Sequence, residues 1–260
     1  PALKRACRQG LLVELPWKKM GNREDFIDGG HSTCGAGTIV WSVAMAYNTE
    51  EVDGQPSGWD DFFNVEKYPG KRALRRGAKF NLEIALMADG VPREDVYDVL
   101  RTEEGVDRAF DKLDELKPHI QWWEAGAQAP EWLAQGEVVM TSAYNGRISA
   151  AQEEGQPFKL SWDGHVYAID SWAIVRGTPN KAEAVDFIEY ASAPENMARL
   201  PQEIPYGAPN EKANQYIPDS VKQQLPTAPD NLEKGLLNST EFWVQNEERL
   251  DRRFQSWATK

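Results

Sequence analysis

An acidic residue, Asp170, stands inside Val166-Tyr-Ala-Ile-Asp-Ser-Trp-Ala-Ile-Val175, a run that is otherwise apolar on both faces. A strand of that pattern is expected to be covered on two sides, so its carboxylate must find hydrogen-bond donors or a cation. Two roles meet that demand: capping backbone N–H groups at a bend, or serving as counter-ion for a bound ammonium group. A second group lies in Val138-Val-Met-Thr-Ser-Ala-Tyr-Asn-Gly-Arg147, read as a strand that passes through a short glycine-containing loop into a helix around Ser149–Glu154. Tyr144, Asn145 and Arg147 would project beyond the carboxyl end of that strand, where open α/β sheets take their ligands. An aromatic face such as Tyr144 attracts ammonium ions, and the planar fork of Arg147 matches a carboxylate. The ordinary alternatives are a core tyrosine with a satisfied hydroxyl and a surface ion pair.

Motifs for catalysis are absent. A phosphate-binding loop requires glycine where Val65 precedes Gly70-Lys71, and Gly35-Ala-Gly37 lacks the third glycine of a dinucleotide fingerprint. No G-x-S-x-G occurs, and none of His31, His119 and His165 lies in a recognisable triad motif. Paired acids such as Asp60-Asp61 and Glu153-Glu154 fall on helix surfaces, so a carbohydrate-active hydrolase using two carboxylates ranks as the alternative reading, not the leading one. His31 and Cys34 form H-x-x-C, but with Cys7 they supply only three soft ligands; no metal site and no cofactor is expected. Cys7 and Cys34, 27 positions apart, are either a disulfide or two reduced core thiols, and spacing alone leaves both open.

These residues need a scaffold. Of the 260 residues 41% are apolar and 27% charged, the composition of a folded globular chain large enough for two lobes. The net charge of −12 argues against a phosphate-binding surface and hence against a nucleic-acid partner. No run approaches the roughly 18 apolar residues of a membrane span. Short apolar runs alternate with amphipathic segments, which is the pattern of layered α/β structure. Strands are expected at Thr38–Tyr47, Glu137–Ser142 and Val166–Val175. Val106, Ala109, Phe110, Leu113 and Leu116 recur at helical spacing, as do Ala182, Val185, Ile188 and Ala191. Ser57 reads as a helix start, and Ser192-Ala-Pro-Glu195 has the spacing of a capping box. From about Glu203 the proline-rich texture reads as loops and short helices, followed by an amphipathic helix from Thr240 to Trp257.

Taken in order, several segments resemble the polyamine-type solute-binding proteins of ABC transporters, relatives of the spermidine/putrescine receptors. The resemblance rests on Thr38-Ile-Val-Trp-Ser-Val-Ala-Met-Ala-Tyr-Asn48, Ser57-Gly-Trp-Asp-Asp-Phe, Tyr68-Pro-Gly-Lys-Arg, Trp132-Leu-Ala-Gln-Gly-Glu-Val, Tyr144-Asn-Gly, Tyr167-Ala-Ile-Asp-Ser171 and Ile204-Pro-Tyr-Gly-Ala-Pro-Asn210. It implies a two-lobed periplasmic-binding-protein fold of type II, each lobe a mixed sheet flanked by helices. It also implies a hinge-closing, non-enzymatic receptor that traps a small ligand in a cleft. The expected partition is 1–44 as part of lobe one, 45–165 as lobe two, and 166–260 as the return to lobe one with the C-terminal helices. The resemblance further implies a strand–helix segment of lobe one preceding Pro1, a secreted periplasmic monomer working with a membrane permease, and a Cys7–Cys34 disulfide.

On the same basis Asp170 corresponds to the carboxylate that holds an amine, Tyr144 to an aromatic wall, and Tyr206 to another cleft position. Trp41, on the crossing between lobes, is hinge or core, and Phe80 is counted with the ligand-facing residues. Where the polyamine receptors carry acids after the Tyr68-Pro-Gly element, this sequence has Arg75-Arg-Gly-Ala-Lys-Phe80. Positive charge there disfavours a di- or triamine and favours a ligand bearing one amine and one carboxylate. The expected ligand is a small ω-amino acid such as 4-aminobutyrate, with putrescine or spermidine as the near alternative. Read as a solvated loop, the basic run carries no such preference.

Overall fold

The apolar, β-branched stretch around Val40–Tyr47 forms the long strand β1 (Ala36–Asn48), whose residues from Ser42 onward are all buried. It is joined in one six-stranded sheet by β2 (Arg72–Arg75), β3 (Ile120–Trp123), β4 (Met140–Tyr144), β5 (Phe158–Trp172) and β6 (Leu236–Leu237). The strand order is β3-β2-β4-β1-β5-β6. Strands β2, β3 and β4 run parallel, with Arg72 level with both Ile120 and Met140, while β1 lies antiparallel to β4 with Val43 opposite Tyr144. Crossover helices between the parallel strands follow from their geometry, because a tight turn cannot join strands of the same direction. The computed structural model describes residues 1–259.

The chain divides into two units. Unit 1 comprises Pro1–Trp41 and Ala168–Leu232, and unit 2 comprises Ser42–Tyr167 and Glu233–Lys260. The polypeptide therefore passes between them at three places: within β1, within β5, and just before β6. The expected partition has 166–260 together, whereas Glu233 onward groups with unit 2. The cause is the terminal helix Thr240–Ala258, which buries Phe242, Trp243, Leu250 and Phe254. Trp243 Nε1 donates to Glu83 Oε1 at 2.6 Å, Trp257 Nε1 to Asp114 Oδ1 at 2.7 Å, and the Trp122 and Phe254 rings meet edge to face at 5.2 Å.

Unit 2 carries the helices Asn81–Ala88 and Glu103–Leu116, the second presenting Val106, Ala109, Phe110, Leu113 and Leu116 to the core as their spacing predicts. One charged residue sits in this interior for a structural reason. Arg72, fully buried, donates to the carbonyls of Phe62, Gly70, Asn64 and Tyr68, and burial lowers its pKa to about 10. Unit 1 packs Trp17, Phe26, Ile174, Ile188, Met197 and Leu225 into a core of its own, around the helix Lys181–Ser192 and a series of short helices.

Three local expectations differ from the structure. Strand β5 begins eight residues earlier than its apolar run and ends at Trp172; Lys159, Asp163 and His165 disguised its first half. The helix after β4 begins at Asn145 with no intervening loop. Ser192 does not cap: the N-cap of the next helix is Ala193, with Pro194 in its first turn, and the buried Ser192 hydroxyl finds no partner. Ser57 does occupy an N-cap position, but its hydroxyl donates to Asp163 at 2.5 Å while its backbone N–H donates to Asp61.

Candidate functional site

In unit 1 the structure joins two of the expected residues. Trp41, half-buried as the last residue of β1 before the crossing, donates its indole N–H to Asp170 Oδ1 at 3.1 Å. The other carboxylate oxygen of Asp170 meets no hydrogen-bond donor among the described residues. Asp170 is not sunk in the interior as its apolar neighbours implied: the side chain is exposed. The apolar pattern implies two-sided cover, but past the crossing Trp172, at the end of β5, is 38% exposed and Val175 beyond it 65%, with only Ile174 buried. An exposed carboxylate carries little desolvation cost and is open to a ligand.

Tyr206, distant along the chain, is brought near Trp41 by a bridge. Val40 and Gly207 form a bridge with hydrogen bonds of 2.8 and 2.7 Å, which places Trp41 and Tyr206 each one residue away from it. Gly207 is required there, since a Cβ would come within 2.4 Å of the Thr227 methyl. Tyr206 itself is half-buried.

In unit 2, Tyr144 and Arg147 lie where β4 meets the helix Asn145–Glu153. The Tyr144 ring stands edge to face with Trp123 at 5.4 Å and is approached closely by Gly126, at which a Cβ would lie 2.9 Å from the ring. Arg147, in the first turn of that helix, is exposed, and no carboxylate among the described residues pairs with it. Asn145 between them is buried; its Oδ1 accepts the backbone N–H of Ser42 at 2.9 Å. Trp123, Gly126, Ser42 and the role of Asn145 had no signature in the sequence, because each acts through a contact with a distant segment.

Phe80 departs from expectation. It is 3% exposed, with φ of 75°, the one non-glycine residue of positive φ among the described residues. Its side chain is thus buried beside the start of the helix Asn81–Ala88 and is not an open wall. The neighbouring basic run is partly neutralised: Arg76 lies 3.8 Å from Glu124, and Lys79 faces Glu83, Glu247 and Asp251, though burial is the stronger influence and lowers its pKa. Glu83 is wholly buried, and burial raises its pKa despite hydrogen bonds from Trp243 and Tyr97.

The histidine tested for a triad, His165, is hydrogen-bonded through Nδ1 to Ser42 Oγ at 2.8 Å, but both residues have zero exposure, so this pair has no access to a substrate. Among the described residues no cluster of His, Cys, Asp and Glu is arranged to hold a metal, and no helix is long and apolar enough to cross a membrane. Cys7 and Cys34 are joined as a disulfide.

Residues 1–229 match the family of bacterial extracellular solute-binding proteins, and this chain belongs to it. Among curated relatives, a gamma-aminobutyric acid-binding protein of Pseudomonas aeruginosa is 50% identical over 260 residues, covering 100% of this chain and 74% of that protein. Among solved structures, an ABC transporter substrate-binding protein from Bradyrhizobium japonicum is 36% identical with a TM-score of 0.90, covering 98% of this chain and 80% of that one. The Atu4243 GABA receptor is 28% identical with a TM-score of 0.85, covering 99% of this chain and 78% of its own. The chain is a transport receptor of solute-binding type, and the hydrolase reading is set aside with it.

Proposed function

We propose that this receptor captures a small ω-amino acid, 4-aminobutyrate or a close analogue, and delivers it as a periplasmic monomer to a membrane ABC permease. The observation that carries the reading is Asp170 in unit 1, which keeps one carboxylate oxygen without a donor; in unit 2, Arg147 has an exposed guanidinium without an acid. An ammonium group suits the first and a carboxylate the second, each through a charge-assisted hydrogen bond. Trp41 holds the acid and adds an aromatic face; Tyr144 and Tyr206 supply further rings. The likeness to the gamma-aminobutyric acid-binding protein supports the same ligand class. A diamine offers ammonium groups alone and has no carboxylate that a guanidinium could hold.

Isothermal titration with 4-aminobutyrate, putrescine and spermidine tests the proposal. Saturable heat with 4-aminobutyrate and weaker or no heat with the diamine is the expected result. Tighter binding of putrescine than of 4-aminobutyrate overturns the ω-amino acid assignment.

A further inference from the structure

We propose that His165, together with Ser42, is a positioning pair that fixes the two strands carrying Trp41 and Asp170. His165 lies on β5, three residues before the crossing into unit 1 at Ala168 and five before Asp170. Ser42 is the first residue of unit 2 on β1 and follows Trp41 directly. Strands β1 and β5 are neighbours in the sheet, and the 2.8 Å bond between Ser42 Oγ and His165 Nδ1 locks their register on the unit 2 side. Both side chains are fully buried, where an unmade hydrogen bond is costly, so the pair has two states, made or broken, and strongly favours the first.

The third crossing closes on the same ring. Gly235 packs against the imidazole so closely that a Cβ would lie 2.5 Å from Nε2 and 2.9 Å from the Tyr167 ring. Around it Lys234 pairs with Asp163 at 3.1 Å, Leu236 and Leu237 ladder with Val166 and Tyr167, and Asn238 N–H donates to Tyr167 O at 2.8 Å. The Trp162 ring meets the imidazole edge to face at 5.2 Å. Ser42 also donates its backbone N–H to Asn145, the residue between Tyr144 and Arg147. One buried serine thus adjoins or contacts every segment that carries a proposed ligand group except that of Tyr206 and Phe80. The Trp41–Asp170 bond is held by register, and register is held here.

The test reads hydrogen exchange in the ligand-free protein, so it stands whether or not 4-aminobutyrate is the ligand. Ser42→Ala and His165→Leu are expected to speed exchange by about fivefold at 38–43 and 166–172 while leaving the helix Glu103–Leu116 unchanged. Gly235→Ala, which must push the imidazole aside, is expected to do the same. His165→Asn, which restores a hydrogen-bonding atom at the Nδ1 position, is expected to return both strands to wild-type exchange. If His165→Leu does not fold, Ser42→Ala carries the test alone, since it deletes one oxygen. Unchanged exchange in the two strands, a uniform rise across unit 2, or no rescue by His165→Asn would overturn the proposal. Titration of the same variants with 4-aminobutyrate separates the two readings: strands loosened with no binding even in wild type counts against the ligand, not against the pair.

Discussion

The indole N–H of Trp41 and the carboxylate of Asp170, 129 positions apart in the chain, meet at 3.1 Å on the two strands that link the units. The bond orients an exposed acid without consuming it, because a carboxylate has several acceptor sites and this contact uses one. Asp170→Asn should therefore weaken 4-aminobutyrate binding about tenfold or more, the scale of a charge-assisted hydrogen bond, and Trp41→Phe should weaken it less. Titration calorimetry of the three proteins checks both the loss and its order.

Arg147 separates ligand classes. Arg147→Ala should cost 4-aminobutyrate binding about tenfold or more while sparing or improving putrescine, since it removes a fork for a carboxylate and a repulsion for an amine. Parallel loss of both ligands would assign Arg147 to structure instead.

The Cys7–Cys34 disulfide joins residues 27 positions apart and anchors the helix Ala2–Arg8, which has no buried residue of its own. Loop-closure entropy puts its contribution at roughly 3–4 kcal/mol. Reduction by a thiol reagent should lower the denaturant midpoint of unit 1, followed by near-ultraviolet circular dichroism, with little effect on limited proteolysis of unit 2.

Glu83 provides a pH signature. Burial raises its pKa above the ordinary 4.5, so the folded chain holds this proton more tightly than the unfolded one. Stability must then fall as pH rises from the unfolded value through the folded one. Glu83→Gln abolishes that ionisation, and the stability difference between the two proteins in urea melts should shift in favour of the glutamine variant between acid and neutral pH. A constant difference across that range would show that Glu83 titrates alike in the folded and unfolded chains.

Arg72 makes a stability prediction. Its guanidinium donates to four carbonyl oxygens, and those of Phe62 and Tyr68 are buried and would lose their donor. Arg72→Met should destabilise the protein by about 3 kcal/mol or more, and Arg72→Lys, with one ammonium and no fork, should recover only part of it. Chemical denaturation gives both values.

What the sequence alone determined is what periodicity and residue chemistry encode locally. The apolar run of β1, the core face of the helix Glu103–Leu116, the amphipathic helix from Thr240, and the candidate status of Asp170, Tyr144 and Arg147 all follow from residue type and spacing, while Trp41 enters with the family resemblance. Ordered motifs added the family. What only tertiary structure decided depends on which distant segments come together. The apolar neighbours of Asp170 announced burial, yet burial is a property of what covers a strand, and here the carboxylate is exposed. Ser42, Asn145 and His165 look unremarkable one by one; their hydrogen bonds exist only because the sheet sets β1 beside β5 and the helix after β4 against them. Phe80 and Gly235 likewise take their meaning from a backbone turn and a neighbouring ring, and neither leaves a trace in local pattern, since steric exclusion acts between atoms far apart along the chain.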